Sequence, residues 1–265
     1  MLSFAAAIAA TRGARSQQED AAALWPGPAT SSPPFDRVSE PGRLVAVLAD
    51  GMGGHAGGSL ASRIACEYFL AAFASEAPIA PVRDKLRSGV NAANRAMALE
   101  VDANQALYGM GSTLVGVVFD DDSLTWISVG DSPLYLWRGG EIALINEDHS
   151  LAPLLDQMAR EGKITAEKAR NDHRRHMLRS AVTGEDIELV DLCAKPLALD
   201  AGDCVLIASD GIHSLEPTEI SRLVSAYLND GAAAISQALV RGVDQMRDPH
   251  QDNFTVVAVT VERTS

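Results

Sequence analysis

Two short strings far apart in this chain each set a carboxylate where it can hold a ligand. They are Val47-Leu48-Ala49-Asp50-Gly51 and Ile207-Ala208-Ser209-Asp210-Gly211. In both, an apolar run stops at an Asp-Gly pair. That is the pattern of a buried strand that delivers its acid to the end of a sheet and then turns. The glycine lets a backbone carbonyl approach whatever the acid binds. A third apolar strand, Phe254 to Val261, is preceded by Asp252-Asn253. Three strand-end carboxylates with no cationic partner evident in the sequence suit hard divalent cations.

The elements that must position these acids follow from periodicity. Leu2 to Ala10 is apolar and reads as a first strand. Residues 26–42 are rich in Pro, Gly and Ser, which predicts a long surface connection, and strand 43–49 follows. A helix after the glycines carries Leu60, Ile64 and Tyr68 at four-residue spacing. A second carries Val82, Leu86, Val90, Ala93, Met97 and Val101 on one stripe. Strands are expected at 112–119, 123–130, 133–138 and 141–145, with turns at Asp121-Asp122 and Gly139-Gly140. The triplet Asp120-Asp121-Asp122 reads as a polar turn tip rather than a metal cluster. A helical, more polar insert covers 149–171. Strands near 187–192 and 203–209 follow, then helices 217–228 and 231–247, the last with Ile235, Leu239, Gly242 and Met246 facing one way. Strands come in blocks and helices in pairs, so the class is α+β rather than an alternating parallel α/β sheet. Strands 112–119 and 254–261 are apolar on both faces and need cover on each side. A four-layer αββα sandwich meets that need: two packed, mainly antiparallel sheets flanked by helix pairs, in a single domain over 1–265.

The chain has 265 residues, 47% hydrophobic and 22% charged, with a net charge of −13. That acidity argues against nucleic-acid or anionic-membrane partners, which need a positive surface. Cys66, Cys193 and Cys204 form an odd set without CxxC spacing, so neither a disulfide framework nor zinc is indicated. None is followed six residues later by Arg, which excludes a cysteine-nucleophile phosphatase loop. The opening apolar run is short and lacks a basic leader, and no segment is long enough to span a bilayer. The expected location is the cytoplasm.

Seven motifs then occur in order: Arg15 with Glu19-Asp20, Asp50-Gly51-Met52-Gly53-Gly54-His55, Gly111-Ser112-Thr113, Gly130-Asp131-Ser132, Asp148-His149-Ser150, Ser209-Asp210-Gly211 and Asp252-Asn253. On these the chain resembles the metal-dependent protein serine/threonine phosphatases of the protein phosphatase 2C (PPM) family, in their compact bacterial form, from Gly13 to Val261. The resemblance implies hydrolysis of phosphoserine and phosphothreonine by water activated at a binuclear Mg²⁺ or Mn²⁺ centre. It implies that Asp50 bridges the two ions, helped by the Gly51 carbonyl, that Asp210 and Asp252 complete one shell, and that Glu19 serves the other. Asp20 would orient water from behind, and Arg15 would hold the phosphate with its planar fork. Asp131, with Asp210, would take a third, weaker ion. Implied partners are phosphorylated protein substrates and an opposing Ser/Thr protein kinase, and a monomer is expected.

Two departures stand out. Many eukaryotic relatives carry a general-acid His after the Asp-Gly, where this chain has Met52, so water must protonate the leaving oxygen. The family commonly has Arg after Gly-Asp-Ser, where this chain has Pro133. His55 is expected to pack its loop and His149 to fix the start of the insert, which matches the family's flap beside the active site. The rival readings are a non-catalytic relative that binds phosphoproteins as a regulatory module, and a metal-dependent hydrolase of nucleotides or other small phosphoesters.

Overall fold

The computed structural model describes residues 1–26, 37–38, 43–53, 56–76 and 79–264. Most of the 26–42 connection and His55 lie outside the described residues. One sheet contains β1 (Leu2–Thr11), the short β3 (Arg37–Val38), β8 (Leu134–Arg138), β9 (Glu141–Leu144), β12 (Cys204–Ala208) and β13 (Phe254–Arg263). Their order is β3-β1-β13-β12-β8-β9. The second contains β2 (Asp20–Trp25), β4 (Arg43–Met52), β6 (Leu114–Asp120), β7 (Ser123–Val129) and β10 (Asp191–Leu192), in the order β10-β7-β6-β4-β2. The two-residue strands β5 (Gly111–Ser112) and β11 (Leu197–Ala198) pair with β4 and β7. Every pairing among the described strands is antiparallel.

Alternation along the strands sorts side chains into three apolar layers. In β4, Val45, Val47 and Ala49 face one way, with Leu114 and Val118 of β6. They pack on helices α1 (Ala56–Ser75) and α2 (Val82–Ala103). Leu44, Ala46 and Leu48 face the other way, with Val115, Val117 and Phe119, and meet Val205, Ile207, Val257 and Val259 of the first sheet. Phe4 and Phe119 touch across this inter-sheet layer, ring centroids 5.3 Å apart. The outer face of the first sheet, with Leu206, Val256 and Ala258, is covered by α5 (Pro217–Tyr227) and α6 (Ala232–Met246). The expected αββα order is therefore present.

Phe69 fixes the phase of α1. Its ring lies where a Cβ on Gly89 of α2 or on Gly116 of β6 would stand, at 2.6 and 2.2 Å. The buried face is accordingly Ala61, Ile64, Ala65, Phe69 and Phe73, and Tyr68, expected on the stripe, is 47% exposed. Met246 is also exposed because α6 ends there, with Arg247 left-handed. Strand β2 was not expected, since Asp20-Ala-Ala-Ala-Leu-Trp25 offers little β-forming character. Of the strand expected over 187–192, only β10 forms. The acidic triplet is the tip of the β6–β7 hairpin, with Asp121 at φ 54° and Asp120 ion-paired to Arg43. The Gly139-Gly140 turn has both residues at positive φ, as a two-residue hairpin requires. The insert forms α3 (Ala152–Arg160) and α4 (Ala166–Arg170). Among the described residues no helix is long and apolar enough to cross a membrane.

Candidate metal and phosphate site

Strand pairing brings the first acids together. β2 and β4 set Asp20 opposite Asp50. The Asp50 amide donates to Thr113 Oγ1 at 2.9 Å, and its carbonyl accepts from Thr113 N at 2.9 Å and Ser112 Oγ at 2.8 Å. Gly51 N donates to the Glu19 carbonyl at 3.1 Å. A Cβ on Gly51 would meet Gly58 O at 2.0 Å, so only glycine lets β4 pass under the first turn of α1. A Cβ on Gly58 would stand 3.0 Å from both Glu19 Oε1 and Gly51 O. A carboxylate and a carbonyl thus converge on one small space that a side chain would fill.

Residues 12–19 are held by one amide. Asn253 Nδ2 donates to the Arg12 carbonyl at 3.0 Å and the Gln17 carbonyl at 2.9 Å, while its Oδ1 accepts from Glu19 N at 2.7 Å. Within this clamp Arg15 reaches back to Asp252, Nη2 to Oδ2 at 2.5 Å. Asp252 therefore has a cationic partner, contrary to expectation. The other Asp252 oxygen accepts from Asn253 N at 2.8 Å.

Asp210 opens a 3₁₀ turn, 210–214, directly after Ser209 at the end of β12. A Cβ on Gly211 would meet Asn253 O at 2.2 Å, which packs the two acid-bearing loops face to face. Ser209 Oγ donates to Asp20 Oδ2 at 2.7 Å and accepts from Thr255 N at 2.9 Å. This bond joins an end of the first sheet to an end of the second. Asp20 Oδ1 is buried and makes no hydrogen bond among the described residues.

Burial, with like charge crowded around it, raises these carboxyls. Burial pushes Asp20 up to about 6, with Asp210 and Asp252 adding to the rise and the Ser209 hydroxyl opposing it. Asp50 is driven well above its ordinary range by burial first, then by Asp20, Asp210, Asp131 and Asp252. It keeps some surface open to the cleft, but the packing around it is dense enough to disfavour charge. Burial, then Asp210 and Asp148, pushes Asp131 up to about 7. Burial and Asp252 raise Asp210, against His213, His176 and Arg15.

Asp131 is carried by a turn that His149 ties down. Gly130 N donates to His149 Nδ1 at 3.2 Å, and His149 N donates to the Gly130 carbonyl at 3.1 Å. His149 is 2% exposed and thus anchors the Asp131 turn as well as the start of the insert. Pro133 leaves that turn intact, because Thr113 Oγ1 and Ser132 Oγ bond at 2.7 Å and Asn146 Nδ2 holds the Ser132 carbonyl at 3.0 Å.

An open cleft of about 720 Å³ is lined by Arg15, Glu19, Asp50, Gly51, Asp131, Asp210 and Asp252. All the expected site residues meet here except Asp20, which stands behind. The opposite wall is formed by His176 to Ala181, Thr183, Asp186 and Glu188, while the insert 149–171 lines none of it. Backbone pairing fixes this wall. Leu151 N donates to the Met177 carbonyl, Arg179 N to the His149 carbonyl, and Ser112 and Val182 exchange two bonds. Nothing in the local sequence marks 176–188 as a wall, since it has no regular structure before β10. Asn253 and His149 were visible as motif members, but their roles depend on partners distant in sequence.

The donor set suits Mg²⁺ or Mn²⁺, being oxygen throughout and including one buried orphan oxygen and one carboxylate–carbonyl cradle. As the side chains stand, no group of three or more His, Cys, Asp or Glu among the described residues is arranged to hold an ion. Arg15 engages one oxygen of Asp252.

The profile described as Protein phosphatase 2C matches residues 35–246. Serine/threonine protein phosphatase PstP of Mycobacterium tuberculosis is 34% identical over 226 residues, 85% of this chain but 42% of that protein. The chain therefore spans less than half of that relative. Serine/threonine phosphatase stp of Listeria monocytogenes is 30% identical over 186 residues, covering 69% of this chain and 72% of that protein. The crystal structure of the PstP catalytic domain in complex with two manganese ions matches with a TM-score of 0.76 at 28% identity. The match covers 99% of this chain and 100% of that one.

Proposed function

The chain belongs to the protein phosphatase 2C family, and we propose that it hydrolyses phosphoserine and phosphothreonine in proteins with a binuclear Mg²⁺ or Mn²⁺ centre. The observation that carries the reading is the convergence of Glu19, Gly51, Asp50, Asp131, Asp210 and Asp252 on one cleft that also holds Arg15. The manganese-bound structural relative supports it. We assign Glu19 and the Gly51 carbonyl to one ion, Asp210 and Asp252 to the other, and Asp50 to both. Asp131 with Asp210 would take a third, weaker ion.

Bound there, the ions would lower the pKa of water toward neutrality and offset phosphoryl charge. The chain's own groups do the rest. Arg15 exchanges the Asp252 carboxylate for two phosphate oxygens, which its fork fits equally well. Asp20 offers its free Oδ1 to an ordered water behind the acids. Met52, half-buried on the cleft wall, has no proton to give, so the leaving oxygen takes its proton from water. We place the protein in the cytoplasm, as a monomer opposing a Ser/Thr kinase. The test is turnover of p-nitrophenyl phosphate and of a phosphothreonine peptide with Mn²⁺, abolished by chelator and by Asp50→Asn. Turnover that persists in chelator without any divalent cation, or full activity in Asp50→Asn, sinks the reading. Binding of phosphopeptide without any turnover would favour the regulatory-module alternative.

A further inference from the structure

Positive charge in this acidic chain is concentrated beside the cleft. Residues 160–179 carry seven of the 22 Lys and Arg against three acids, in a chain of net charge −13. The seven divide into two kinds. Arg174 is bidentate to Asp172, Arg175 is bidentate to Asp156, and Lys163 pairs with Glu161. These three are spent on neighbouring acids, and the Arg175–Asp156 pair pins the chain after α4 onto α3. Arg160, Lys168, Arg170 and Arg179 are exposed and make no side-chain hydrogen bond or ion pair among the described residues.

Their placement is not random. Arg160 and Arg170 flank a dent of about 330 Å³ between α3 and α4, lined also by Ala159, Ala166, Ala169 and Asp156, whose carboxylate is taken by Arg175. Arg179 lines the cleft itself, on the wall facing the acids. The backbone between dent and cleft is fixed, because Met177 O and Arg179 N are bonded to Leu151 and His149. Arg175, bonded to Asp156 at the dent, is joined to Arg179 in the cleft by a stretch that spans at most about 14 Å, four residues at full extension.

We propose that Arg160, Arg170 and Arg179 form a docking strip for substrate segments carrying a carboxylate or a second phosphate about four residues from the phosphoresidue being cleaved. The proposal rests on the phosphatase reading and names its substrate class. Free guanidinium forks suit both anions. Neutralised by divalent cations, the cleft acids would no longer repel such a segment. Each exposed contact is individually weak, so the strip acts through several at once and is salt-sensitive.

The test uses the full chain with Mn²⁺ and three phosphothreonine peptides. They are identical except for Gln, Glu or a second phosphothreonine four residues from the scissile group. The expected kcat/KM ratio of the anionic to the Gln peptide is about tenfold at low salt, the order expected from a few exposed contacts, and it shrinks at about 300 mM salt, where the Debye length falls to roughly 5–6 Å. In Arg160→Gln/Arg170→Gln/Arg179→Gln the ratio falls to about one, with the fold checked by circular dichroism. A salt-independent ratio in the unmodified chain, a ratio unchanged in the triple variant, or a preference for the Gln peptide overturns the proposal. If the variant instead stops pelleting with phosphatidylserine vesicles while its peptide ratio is kept, the strip is a membrane surface and the proposal fails. Failure to turn over p-nitrophenyl phosphate at all would sink the phosphatase reading, which separates the two outcomes.

Discussion

Gly58→Ala should cost the protein a metal ligand while leaving its fold intact. The new methyl would lie 2.9 Å from Glu19 Cδ and 3.0 Å from Glu19 Oε1 and Gly51 O. Ordinary contact is about 3.5–4.0 Å, so the carboxylate must retreat by roughly 0.6–1 Å. Metal–oxygen distances tolerate about 0.2 Å. The displaced oxygen therefore falls outside ligand range, and manganese affinity should drop on the order of 10–100-fold, as for lost supporting contacts. Stability moves little, because Ala in place of Gly within a helix gains about 0.5–1 kcal/mol, which offsets the local crowding. One kcal/mol shifts Tm by about 2–4 °C at this size, so the metal-free Tm should stay within that range. The assays are calorimetric titration with Mn²⁺ and a thermal melt in chelator. Unchanged manganese affinity in folded Gly58→Ala would refute the placement of Glu19 and Gly51 at an ion.

Asn253→Asp replaces two donors facing the Arg12 and Gln17 carbonyls with a buried carboxylate. It should cost about 2–4 kcal/mol in urea unfolding and raise KM for p-nitrophenyl phosphate as Arg15 loosens; an unchanged KM would show that the clamp does not set Arg15. Phe69→Ala empties the contact between α1, α2 and β6 and should cost about 3–5 kcal/mol by guanidinium unfolding, a loss near zero being the contrary result. Asp20 and Asp131 are acids raised in the folded state, to about 6 and about 7. The native protein then holds more protons than the unfolded chain between pH 4 and 7, so stability in chelator should fall as pH rises through that window. Saturating Mn²⁺ should flatten or reverse the slope, since metal competes with protons. Chelated protein that gains stability from pH 5 to 7 would contradict the crowding of these acids.

Asp50, Asp210 and Asp252 were legible because each interrupts or borders an apolar run, and a strand end has few places to put an acid. The αββα order was legible for a related reason, since β6 and β13 are apolar on both faces. β2 escaped because three alanines carry no strand signal, and its pairing with β4 is a tertiary decision. The wall 176–188 escaped because it is shaped by bridges to Ser112 and to 149–151 rather than by its own residues. Tyr68 was misplaced since spacing gives a helix's stripe but not its phase, which the Phe69 slot between Gly89 and Gly116 decides. The Arg15–Asp252 pair joins residues 237 apart and has no local signature.

The site is built to be uncomfortable without cations. Four acids, Asp20, Asp50, Asp131 and Asp210, are crowded until burial and mutual repulsion lift each of them. The backbone carrying Asp50 and Asp131 is placed by bonds between neutral groups, Thr113 and Ser112 at Asp50 and His149 at the Asp131 turn, while Ser209 bonds the Asp20 carboxylate itself. A frame of mostly neutral hydrogen bonds on three apolar layers therefore keeps like charges together that would otherwise disperse. Under the proposed function, cation binding would relieve that repulsion in the folded chain alone, since the unfolded chain does not gather the acids. Ion affinity and folded stability are then one quantity, about 2.7 kcal/mol of added stability at a hundredfold excess over Kd for each ion. Arg15 fits the same logic. It pairs with Asp252 in this structure, and under the proposed function it would be released toward phosphate once a cation takes that carboxylate.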